Sequence, residues 1–143
     1  MDLSKLNYLA ILVAALAAFV AGAIWFGPKT FFPVWWKAMG KTEAEQPGDN
    51  MGSMGVVFGL TALGQLVMST TVAIVLELTE MAQGSISIGD GALIGLILGI
   101  GLAAASSLSH RLFAGQGIKV WIIEVASDVV NITILGIILA AWR

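Results

Sequence analysis

An all-α integral membrane bundle of four transmembrane helices, with a short interfacial helix after the first, is the fold this sequence predicts. Two observations lead there. Of its 143 residues, 58% are hydrophobic and only 11% are charged, against roughly 25% charged in a soluble domain. The apolar residues also gather into four long runs. About 20 residues at about 1.5 Å rise each cross a hydrocarbon core of about 30 Å. The length suits one domain, residues 1–143. There are no cysteines, so disulfides, thiolate metal sites and cysteine nucleophiles are excluded. A net charge of -2 offers no basic patch, and nucleic acid is not an expected partner.

The first span is predicted over 8–26. Ala21-Gly22-Ala23 resembles a small-residue cleavage site, but the apolar run is about twice a usual signal-peptide core, and Lys5 is offset by Asp2. A retained helix is therefore expected. Residues 28–37 mix aromatics with Lys29 and Lys37, the composition favoured at headgroup level, and an interfacial segment is expected over 30–40. Pro33 at a first-turn position and Gly40 at the end suggest a short helix lying in the interface. Residues 41–53, with Glu43, Glu45, Asp49, Pro47, Gly48 and Gly52, read as a solvated polar loop.

The second span is predicted over 54–76, with Thr61, Gln65 and Ser69 spaced four apart. A connector, 77–89, holds Glu77 and Glu80 and no cation. Asp90 is placed to cap the third helix by accepting its free amide hydrogens. That third span, 91–108, carries Gly91, Gly95, Gly99 and Ala103 every fourth residue. Small residues let helix backbones approach closely where no hydrophobic force drives association. Ala14, Ala18 and Gly22 repeat the pattern in the first span, as do Gly55 and Gly59 in the second. Packing within the chain is the plainer reading; a subunit interface is the other. The segment 110–117 turns into the fourth span, 118–142. Trp25, Trp35, Trp36, Trp121 and Trp142 all fall near span ends, where tryptophan anchors a helix at the interface. The short loops 1–2 and 3–4 hold Lys29, Lys37, Lys41, Arg111 and Lys119, against Lys5 and Arg143 on the other side. The positive-inside bias then puts both loops in the cytoplasm and both termini outside, in a bacterial inner membrane.

The chemistry-bearing stretch is the fourth span, which carries Glu124, Asp128 and Asn131. At about 100° per residue they fall within an arc of roughly 60°. An acid near the centre costs about 2.5–3.5 kcal/mol to insert, and each Ile, Leu or Val returns about 0.3–0.6. The twelve such residues between Val120 and Leu139 only roughly offset two ionised acids. The polar face must therefore be protonated, paired or wet. Asn131 and Gln65 both lie about 12 residues, or roughly 18 Å, from the cytoplasmic ends of their spans. Thr61 and Asp128 match one layer shallower, and Ser106, Ser107 and Ser109 lie near the depth of Glu124. If spans two, three and four pack together, these groups form one polar track from the cytoplasm to mid-membrane.

Intramembrane acids mark ion and proton paths, and two carboxyls one helical turn apart titrate as a coupled unit. In the other reading Glu124 reaches the cytoplasmic surface, while a protonated Asp128 bonds Thr61 or a third-span serine and locks the bundle. A contact to a partner protein is a third. His110, the only histidine, lies at a helix end where an imidazolium suits the dipole. It reads as an interfacial residue rather than a proton relay. No metal site, cofactor or serine-based triad is supported, and no P-loop or GxGxxG is present.

Asn7-Tyr8-Leu9, Gly22-Ala23-Ile24-Trp25-Phe26-Gly27-Pro28, Phe31, Trp35 and Lys37 near the front carry a resemblance to a known family. Gly115, Lys119, Gly136 and Ile138-Leu139-Ala140-Ala141-Trp142-Arg143 continue it at the end. Together they resemble the small bacterial and fungal membrane family catalogued as domain of unknown function 1761. The resemblance covers nearly the whole chain and implies a four-helix membrane protein, with no activity attached. Two places depart from the family's pattern. Members often carry a histidine in the first span where Ala18 stands here. In the fourth they tend to asparagine, then tyrosine or histidine, where this chain has Glu124 and Asp128. The acidic face would then belong to this protein or its subgroup.

The expected function is that of a non-enzymatic membrane protein: a small oligomeric proton, cation or small-solute channel or transporter using the acidic face. The alternative is an accessory or scaffold subunit of a larger membrane complex. Partners are the lipid bilayer and either a second copy of the chain or another membrane protein.

Overall fold

The computed structural model describes residues 3–48 and 52–143. Asp2, the expected offset to Lys5, and positions 49–51 of the polar loop lie outside the described residues. The described chain is helical, in the order of a single 3-10 turn Leu3–Lys5, α1 Tyr8–Trp25, α2 Phe32–Ala38, α3 Met54–Gln83, α4 Ile88–Leu98, a π-wound segment Gly99–Ala104, α5 Ala105–Phe113 and α6 Gly117–Ala141. The segments from α4 through α5 run on as one helix. Four helices are long and apolar enough to cross a membrane: Tyr8–Trp25, Met54–Gln83, Ile88–Phe113 and Gly117–Ala141.

Three of the four long helices start where a polar side chain takes up a free amide hydrogen, α6 being the exception. Asn7 accepts from the Ala10 amide at the start of α1. Ser53 does the same for Val56 in α3. For α4 the cap is Ser87, not Asp90: Ser87 Oγ accepts from the Asp90 amide, and the Asp90 carboxylate accepts in return from the Ser87 amide. The expected cap at Asp90 is thus its reciprocal partner three residues on. The reason is that the helix begins at Ile88, earlier than its apolar run suggested. Ser87→Ala should lower stability by about 1 kcal/mol, read as a shift in the thermal midpoint in detergent.

The expected connector is itself helical over 77–83. α3 is 30 residues long, or about 45 Å, and runs through Glu77 and Glu80 to a left-handed cap at Gly84. The cation that 77–89 lacks comes from the far end of the chain. Arg143 Nη2 lies 2.9 Å from a carboxylate oxygen of each acid. With both acids paired to that one guanidinium, the helix continues past the apolar run.

The helix at the centre is α6, which packs most extensively on α4 and also against α1, α3, α5 and α2, while α3 and α4 barely meet. Its apolar core joins Ala10, Ala14 and Ala18 of α1, Val72 and Leu76 of α3, and Ile132, Leu135 and Leu139 of α6. The outer faces are as apolar as the core, with Leu12 and Leu16 of α1, Leu63 and Val67 of α3, and Leu93 and Ile97 of α4 all exposed. Such a surface matches a lipid solvent.

The small-residue register of α4 is consumed inside the chain. A Cβ at Gly95 would meet the Ile132 carbonyl oxygen at 2.6 Å and Thr133 Cα at 2.8 Å, and one at Gly99 would meet Val129 Cα at 2.9 Å. Gly91 abuts Gly136 and Ala140 of α6 in the same way. Gly55 and Gly59 do not repeat the pattern. Apart from the Ser53 hydroxyl near Gly55, both open onto empty space, because the first eleven residues of α3 stand nearly bare of neighbours.

Candidate functional site: the polar face of the last helix

Two short turns bring three elements onto the start of α6. The first folds α2 back from α1. Thr30 Oγ1 lies 2.5–3.0 Å from the carbonyls of Ile24, Trp25 and Gly27, and Phe31 stacks on Trp25 with ring centroids 4.4 Å apart. The second turns α5 into α6 within a few residues, so that Arg111 in the last turn of α5 faces α6. Arg111 Nη1 donates to Gln116 Oε1 at 2.9 Å across that turn.

Glu124 is the meeting point. Arg111 Nε lies 2.7 Å from its Oε2, and the Trp35 indole N–H donates to its Oε1 at 3.0 Å. Each carboxylate oxygen has its own donor, and the Glu124 side chain is only 14% exposed. Trp25 Nε1 donates to the Ile123 carbonyl next door at 3.1 Å. Trp121 Nε1 points to the other side, to the Ala104 carbonyl at 3.3 Å and Ser107 Oγ at 3.2 Å. Ala104 is the last residue of the π segment, and the extra residue in that turn re-registers α5 relative to α4. Trp36 Nε1 donates to the Thr42 carbonyl at 2.9 Å. Of the five tryptophans, only Trp142 makes no indole hydrogen bond within the described residues, though its carbonyl accepts from Asn7 Nδ2 at 3.3 Å.

One turn deeper the situation reverses. Asp128 is half-buried and has no hydrogen bond or ion pair among the described residues. Asn131 is 4% exposed, and its amide nitrogen faces Gly22 of α1, where a Cβ would sit 3.4 Å away. Gln65 Oε1 is buried with no hydrogen-bond partner. The other members of the expected track bond elsewhere. Thr61 is exposed and donates back to the Val57 carbonyl at 2.7 Å. Ser69 is fully buried and donates to the Ile11 carbonyl of α1 at 2.9 Å. Ser106 is exposed, and Ser107 partners Trp121. Because α6 stands between α3 and α4, spans two, three and four do not share one polar seam. His110 is exposed at the end of α5. Among the described residues no group of three or more His, Asp or Glu is placed to hold a metal ion.

The arrangement therefore splits the acidic face. The outer carboxylate is neutralised by a guanidinium and an indole; the inner one, with its neighbouring amide, keeps its bonding capacity unused. The roles of Arg111 and Trp35 escape a linear reading. Folding the third span back at Gly115 would have placed Arg111 beside the first turns of α6. Nothing in the sequence aims Trp35 at Glu124.

A family model described as "Protein of unknown function (DUF1761)" matches residues 9–140. The chain belongs to that family. The match takes in α2 and the polar face as well as the four long helices. Neither a curated protein nor a solved structure matches. In this DUF1761 protein Ala18, where the resemblance leads one to expect a histidine, is fully buried in the α1 core stripe.

Proposed function

We propose that this DUF1761 protein is a non-enzymatic, multi-pass protein of the cytoplasmic membrane that carries protons, with Asp128 as the intramembrane carrier group. Its α2 and α5–α6 ends face the cytoplasm, where five of the seven lysines and arginines gather. One observation supports the reading above the rest. In an apolar helix, Arg111 and Trp35 satisfy Glu124, while Asp128 one turn deeper has no partner. An unpaired carboxylate in such a setting must take up a proton, a cation or water. A proton needs a single carboxylate, whereas a hard divalent cation gathers six or more oxygens. Asn131, about one turn further along α6 and 4% exposed, offers the next polar group.

The test is proton flux in liposomes holding the purified protein. Asp128→Asn should reduce flux by about a hundredfold or more, the lower end of what a positioned proton-transfer group contributes. Glu124→Gln should retain most of it, since that carboxylate is engaged with Arg111. Flux that persists in Asp128→Asn, or no flux in the wild type alongside greater stability of Asp128→Asn, would refute the carrier role and make the acid structural.

A second reading has its own support. The first eleven residues of α3 are almost all exposed, with Gly55, Gly59 and Gly64 open, which suits a helix from another chain. A detergent-solubilised mass showing a fixed heteromeric partner would favour an accessory subunit. A homo-oligomer fits the transport reading.

A further inference from the structure

At the end of the bundle opposite α2 lies a cavity of about 320 Å³ that the acidic face does not explain. Its floor is apolar and drawn from three helices: Ala10 of α1, Ala73 and Leu76 of α3, and Leu139 of α6. Asn7 closes one side, holding the Trp142 carbonyl at 3.3 Å while capping α1. The rim is charged and balanced in sign, with Lys5 and Arg143 set against Glu77 and Glu80.

The rim charges are only partly used. Both contacts of Arg143 run through Nη2, and each acid meets it with Oε2. The other guanidinium nitrogens and the second carboxylate oxygens keep their bonding capacity. Lys5 is exposed and forms no ion pair among the described residues. The cavity thus offers donors for an anion and acceptors for an ammonium, side by side over an apolar floor. At 30 residues α3 exceeds the hydrocarbon thickness by about 15 Å, so its last turns, with Glu77 and Glu80, stand at headgroup level. A volume of this size is at the lower end of those that take small ligands.

We infer that this cavity binds a zwitterion carrying a phosphate and a primary ammonium, supplied by an aminophospholipid headgroup. Lys5 and the free edge of Arg143 take the phosphate, Glu80 and Glu77 take the ammonium, and the apolar floor receives the first carbons of the lipid. The inference shares with the proposed function only the placement of the helices across a bilayer, and it is independent of Asp128.

Native mass spectrometry of the full chain, with dioleoylphosphatidylethanolamine or dioleoylphosphatidylglycerol added, tests it. The ethanolamine lipid should be retained about tenfold more than the glycerol lipid. Glu80→Gln, which removes an acceptor for the ammonium, should abolish that preference, and Lys5→Gln, at an exposed side chain with no ion pair among the described residues, should weaken retention of both lipids while leaving the thermal midpoint and the proton flux unchanged. Displacement by free phosphoethanolamine would support the headgroup chemistry with a soluble source. Retention of the lipid in its presence supports the membrane source. Equal retention of both lipids by the wild type, a preference that survives Glu80→Gln, or undiminished retention in Lys5→Gln overturns the site.

Discussion

Gly95→Leu should destabilise the bundle by about 3 kcal/mol or more, at the upper end of what overpacking costs. The reason is the identity of the atoms in the way. A side chain at Gly95 would meet the Ile132 carbonyl oxygen and Thr133 Cα, which are backbone and cannot swing aside as a flexible side chain could. In lipid no hydrophobic force is available to hold α4 and α6 together once they are pushed apart. Circular dichroism through a denaturant titration in mild detergent would measure the loss. Gly59→Ala is the matched control, because a Cβ there meets nothing within 4 Å; its effect should stay within about 0.5 kcal/mol. Comparable stability for the two variants would show that α4 does not pack on α6 through this register.

The second large effect is expected at Glu124. A hydrogen bond to a charged group is worth about 1.5–3 kcal/mol, so Trp35→Phe, which keeps the ring and removes the donor, should cost about that. Arg111→Ala should cost less than the 3–5 kcal/mol typical of breaking a buried pair, because the Arg111 side chain is 41% exposed and screened by solvent. About 1–2 kcal/mol is a fair expectation. Glu124→Gln in either background should recover part of the loss, since the amide leaves no uncompensated charge. A double-mutant cycle between Trp35→Phe and Glu124→Gln should then show a coupling of about 1 kcal/mol or more. Additive effects would mean that α2 is held to α6 by its aromatic contacts alone.

The gross architecture was legible because it follows from hydropathy: an 18-residue α1 and a 25-residue α6 are recorded as apolar runs. Helix ends were less so. Glu77 and Glu80 looked like loop residues because their counter-ion, Arg143, is more than sixty positions away in sequence. Ser87 went unnoticed as a cap because the first turn of α4 carries little hydropathy signal. The face shared by Glu124, Asp128 and Asn131 follows from helical spacing, but its division into a satisfied outer acid and an unsatisfied inner one depends on Arg111 and Trp35. Those come from two other elements, and no one-dimensional pattern connects them. The polar track across spans two to four failed to assemble for a topological reason: it required α3 and α4 to be neighbours, and α6 lies between them.

The central position of α6 also bears on biosynthesis. It is the last of the helices in the sequence, yet it supplies the surface on which α1, α3 and α4 pack. Until α6 is made, the glycine register of α4 has no partner and the alanine stripe of α1 is covered only by α3. Closure must therefore await synthesis of α6, in contrast to chains that consolidate from the N-terminus as they emerge. A product stalled before residue 117 would present those helix faces to membrane chaperones and quality-control proteases.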